Sequence, residues 1–103
     1  MKIKVSKEAA RELEEAAIWY ESEQASLGSR FLDAFDDAIQ LLKESNPPLT
    51  PIDGEAHSLG GKKLILHKFP FSLITIEKNS IIILVALAHH SRKPGYWADR
   101  INS

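Results

Sequence analysis

At 103 residues, with 44% hydrophobic and 26% charged side chains, the chain has the length and composition of one small domain able to bury its own core. It has no cysteine, which excludes disulfides, cysteine-ligated zinc and thiol nucleophiles. No secretory leader pattern and no apolar run of about eighteen residues occurs, so the expectation is a cytoplasmic protein with no membrane association. The formal net charge of −1 hides a division. Residues 1–45 carry six Lys/Arg against ten Asp/Glu, whereas residues 62–100 carry seven against two, with three histidines besides. A basic C-terminal part suits an acidic or polyanionic partner.

In chain order, Met1–Val5 alternates polar and apolar residues as a short half-buried strand does. Ser6 is a candidate helix N-cap, with Glu8 in the first turn where the helix dipole favours an acid. From Lys7 to about Ala25, Ala9, Leu13, Ala16, Ala17 and Tyr20 form one apolar helical stripe. Glu12, Glu15 and Glu23 with Arg11 fall on the opposite face and read as solvated. Trp19 and Tyr20 read as core.

Ser26-Leu27-Gly28-Ser29 reads as the turn of a helical hairpin. A second helix is expected from about Ser29 to Glu44, burying Phe31, Ala34, Phe35, Ala38 and Leu42. Asn46-Pro47-Pro48 ends it, because proline cannot continue the ladder. Residues 49–61, with Pro51, Asp53-Gly54 and Gly60-Gly61, read as one long loop, a length that marks mobile or functional segments.

Three strands then follow, at about Lys63–Phe69, Phe71–Glu77 and Ile81–Ala88. Pro70 falls at the first bend and Lys78-Asn79-Ser80 at the second, which makes an antiparallel meander. The eight apolar residues from Ile81 predict a strand covered on both faces. Beyond it come His89, His90, Ser91, Arg92 and Lys93, then Pro94-Gly95, Tyr96, Trp97 and Arg100. A rigid strand thus carries a cluster of cations, imidazoles and aromatic donors to one edge of the fold. The class is α+β, in the order β-α-α-β-β-β, with a helical hairpin on a mostly antiparallel sheet.

Four segments carry a resemblance. They are Ala16-Ala17-Ile18-Trp19-Tyr20-Glu21, Leu27-Gly28-Ser29-Arg30-Phe31, Lys68-Phe69-Pro70-Phe71, and His89 to Trp97 followed by Arg100. Together, in this order, they resemble the RelE/ParE superfamily of toxins from bacterial type II toxin–antitoxin systems, and its ParE-type plasmid-stabilisation branch in particular. The resemblance implies a single cytoplasmic toxin domain, neutralised by a cognate antitoxin in a hetero-oligomer, without cofactor or metal. ParE-type members poison DNA gyrase by binding, whereas RelE-type members cleave messenger RNA on the ribosome. A degenerate toxin that only binds antitoxin is the third alternative.

Metal-free RNA cleavage needs a base for the ribose 2′-hydroxyl, cations for the charge on phosphorus and an acid for the leaving oxygen. Carried over from the RelE-type pattern, that set is Lys63, His67, His90 or the adjacent His89, Arg92 and Tyr96. Lys63 and His67, four apart on one strand, are expected on one face. Ser72 departs from the pattern, standing where the nucleases carry a phosphate-binding arginine, and this favours binding over catalysis. The candidate binding residues are Lys63, His89, Arg92, Lys93, Tyr96, Trp97 and Arg100. Trp97 is also suited to anchoring the tail on the sheet, and Arg100 to pairing with a helix acid.

Overall fold

The structure, a computed structural model, describes residues 2–44, 47–52 and 60–101. β1 (Lys2–Val5) leads into α1 (Lys7–Glu23), whose N-cap is Ser6: its hydroxyl accepts the Ala9 N–H at 3.1 Å, and Glu8 occupies the first turn. Ala9 is fully buried, and Leu13, Ala16, Ala17 and Tyr20 pack on the same core, as the periodicity predicted. Trp19 departs from the expectation of a core residue. It stands off that stripe and is 57% exposed, next to Ile18 at 62%.

α2 (Leu27–Leu42) begins two residues earlier than expected, because Glu21 of α1 caps it. One carboxylate oxygen accepts the Ser26 N–H at 2.9 Å and the other the Gly28 N–H at 3.0 Å, while Ser26 makes the turn with φ 72°. Gly28 is therefore a buried helical residue and not the flexible centre of a turn. Phe31, Phe35, Ala38 and Leu42 form the buried stripe of α2. The Asn46-Pro47-Pro48 stop is described only in part, Asn46 lying outside the described residues along with Met1 and Asp53-Gly54.

The region expected as one loop contributes a short strand, β2 (Thr50–Pro51), paired antiparallel with β3 (Lys62–Ile65). β3 ends four residues before the expected Phe69: the chain bends through 67–70, and the Leu66 N–H reaches across to the Phe71 carbonyl at 2.9 Å. β4 (Phe71–Lys78) and β5 (Ile81–His89) form a hairpin closed by Asn79 and Ser80. Both have positive φ, 54° and 64°, as a two-residue type I′ turn requires. The sheet order is β1-β5-β4-β3-β2, antiparallel except where β1 runs parallel to β5.

β5 is covered on both faces. Leu84 and Leu87 join Leu64, Leu66, Phe71 and Leu73 beneath the two helices. On the other face Val85, Ala86 and Ala88 join Ile74 under Trp97 of the C-terminal segment, which ends in a short helix, α3 (Ala98–Ile101). Val85 and Ala86 share that face because the β4–β5 register slips between Ile74 and Thr75, leaving Val85 unpaired as a bulge. Among the described residues no helix is long and apolar enough to cross a membrane.

Candidate functional site

Cross-strand pairing places Lys63 opposite Ile74 and Ile74 opposite Ala86, on the face away from the helices. There the segment leaving β5 curls back over the sheet and closes a cleft of about 450 Å³. Lys63, Ser72, His89, His90, Arg92, Lys93, Tyr96 and Trp97 border it, and among the described residues no carboxylate does. Three permanent cations facing one cleft without an acid make a surface for anions. The turn that delivers them is held by backbone bonds: the His90 N–H donates to the Pro70 carbonyl at 2.8 Å and the Arg92 N–H to that of His89 at 3.0 Å.

The two histidines point apart, as alternation along a strand requires. The His89 ring meets Phe71 edge-on on the helical side, and its Nδ1 accepts the Ser91 N–H at 3.0 Å. On the other side, His90 Nε2 and the Ser72 hydroxyl are hydrogen-bonded at 2.9 Å. Ser72 is only 5% exposed, so its small side chain, in place of an arginine, is spent on holding that histidine.

His67 stands apart from Lys63, against the expectation that they share a face. β3 ends before it, and the bend carries His67 to a different groove, between α2 and the β3 end, with Arg30, Asp33 and Asp37. Trp97 is 5% exposed and fastens the tail to Ile74, Val85, Ala86 and Ala88, so its place in the cleft wall is structural. Arg100 is likewise turned inward, onto Glu12 of α1 at 2.9 Å.

Glu12 is the residue that sequence reasoning missed. Its Oε1 accepts from Arg100 Nη1 at 2.9 Å and from the Leu87 N–H at 3.0 Å, and its Oε2 accepts from the Tyr96 hydroxyl and from Arg100 Nη2 at 3.2 Å. Arg100 also donates to the Val85 carbonyl at 3.2 Å, and the Ser6 hydroxyl to the same oxygen at 3.3 Å. These side chains satisfy the β5 edge where β1, paired only as far as Leu84, has turned away into α1. The hydrogen bond from Tyr96 has a chemical consequence. Burial first, then the bond to Glu12 and its negative charge, push the Tyr96 pKa well above its ordinary value. Tyr96 is thereby held as a neutral phenol whose hydroxyl donates to Glu12. Glu12 in turn raises the pKa of Arg100.

The arrangement can hold an anion between Lys63, Arg92 and Lys93. It does not bring His67 or the Tyr96 hydroxyl to that anion. Compared with solved structures, the fold matches a chain of the chromosomal ParDE toxin–antitoxin system from P. aeruginosa, with a TM-score of 0.63 over 86% of this chain and 95% of that one, at 20% identity. The protein shares the fold of that chain. No protein-family model and no curated protein matches the sequence. Within this fold the basic cleft lies on the sheet face opposite the helical hairpin, and its cations come from β3 and the segment after β5.

Proposed function

We propose that the chain is the toxin of a type II toxin–antitoxin pair, held inactive in the cytoplasm by a cognate antitoxin, and that it acts by binding DNA gyrase. The likeness to a chain of a ParDE system supports the toxin role. The observation that carries binding over cleavage is the commitment of the Tyr96 hydroxyl to Glu12, with its raised pKa. The placement of His67 in another groove and of Ser72 at the clamp position supports the same reading. A cleft bordered by Lys63, Arg92 and Lys93 is suited to holding a partner's acidic or phosphate groups.

A second reading, a ribosome-dependent messenger RNA endonuclease, is favoured by the absence of carboxylates from the cleft among the described residues, since Lys63, Arg92 and Lys93 would attract any phosphate backbone. One pair of assays separates them. The purified chain is added to gyrase with relaxed plasmid and, in parallel, to translating ribosomes. Inhibited supercoiling with uncut message is expected, and cut message with gyrase unaffected would overturn the proposal.

A further inference from the structure

Arg92 borders both the basic cleft and a smaller cavity of about 290 Å³ on the helix side, lined by Glu12, Glu15, Trp19, Tyr20 and His89 among others. Among the described residues it has no ion pair with a carboxylate, so its charge is available to a partner. What fixes its guanidinium is a ring: the central carbon lies 3.8 Å from the centroid of Tyr96. The Arg100 guanidinium lies 5.2 Å from the same centroid. Two cations on one phenol repel each other, and Glu12 supplies the compensating negative charge at the hydroxyl end. A phenol donating to a carboxylate also has a more electron-rich ring, which strengthens its attraction for a cation.

We infer that Glu12 is a positioning residue: acting through the Tyr96 hydroxyl, it holds the ring on which Arg92 rests, and so sets the cleft's cation in place without touching the target. The chain of contacts runs from the Leu87 N–H and Arg100, through the Glu12 carboxylate and the Tyr96 hydroxyl, to Arg92. Partial burial of the carboxylate, 13% exposed, favours well-aligned donors at each link. The inference rests on the binding reading above only for its functional arm.

Two variants test it, Glu12→Gln and Tyr96→Phe, the second keeping the ring and removing only its bond to Glu12. Side-chain relaxation of the Arg92 Nε–H group by NMR, in the full chain, is the direct readout. Inhibition of gyrase supercoiling at matched folded fraction is the functional one. Both variants are expected to loosen the Arg92 side chain and to weaken inhibition by roughly two- to fivefold, the range of one solvent-exposed cation–ring contact. A merely structural Glu12 would lower the melting temperature and leave the Arg92 signal unmoved. That outcome overturns the inference, as does loosened Arg92 with undiminished inhibition. If the unmodified chain leaves gyrase untouched, it is the target reading that fails. The NMR arm then decides the positioning role by itself, supporting it if Arg92 loosens in both variants and overturning it if not.

Discussion

Gly28 of α2 lies so close to Ala17 of α1 that a Cβ at position 28 would sit 2.6 Å from the Ala17 carbonyl oxygen and 3.0 Å from the Glu21 side chain. The hairpin's crossing point is therefore set by the absence of a side chain. Gly28→Ala, which in an isolated helix gains about 1 kcal/mol, is expected here to lose about 1–3 kcal/mol because backbone must move apart. Glu21→Ala should cost about 1 kcal/mol, the ordinary worth of a helix cap. Urea midpoints of both variants check this, and a more stable Gly28→Ala protein would contradict the close crossing.

Tyr96 carries a pH prediction. Its pKa is raised above 10.0 by burial and by Glu12, and that of Tyr20 is raised by burial. The unfolded chain ionises its tyrosines near pH 10, whereas the folded chain keeps these protons to higher pH. The stabilisation is therefore present in full below about pH 10 and is lost as pH rises beyond it. Phenolate absorbance should show both tyrosines of the folded chain titrating late, and Tyr96→Phe should remove the later one. A Tyr96 phenol that ionises at its ordinary pH would contradict the Glu12 bond.

The charge of the cleft bears on the proposed antitoxin. Lys63, Arg92 and Lys93 gather there without an acid among the described residues, which suits a partner segment that brings acidic and apolar groups. Arg92→Glu is expected to weaken the toxin–antitoxin complex by about 2 kcal/mol or more, roughly thirtyfold in Kd. Calorimetry at two salt concentrations checks it, and an unchanged Kd would contradict the placement of the antitoxin on this face. His67→Ala, in the separate groove beside α2, should leave the contribution of Arg92 intact.

Much of this fold was legible because its signals are local. Ser6, the stripe Ala9 to Tyr20, the turn at Asn79-Ser80 and the apolar run from Ile81 each declare themselves within a few residues. The cationic segment after β5 was legible for the same reason, being contiguous. Glu12 was not: its contacts lie 75 to 88 residues away, and a helix acid that caps a sheet edge has the same local pattern as a solvated one. The displacement of His67 depends on where β3 stops, and four residues of continued strand had the same apolar pattern as the bend that occurs. Trp19 was misread because an aromatic beside an apolar stripe gives no sign of which side of the boundary it falls on. The pairing of Thr50–Pro51 with β3 rests on two residues, too few to carry a periodicity.

Expression of the chain in cells without the proposed antitoxin tests the central claim most directly, with message ends and the DNA-damage response read from the same culture. The account predicts growth arrest with induced DNA damage, intact messages, and relief on co-expression of the antitoxin. Messages cut within codons, with no damage response, would contradict it.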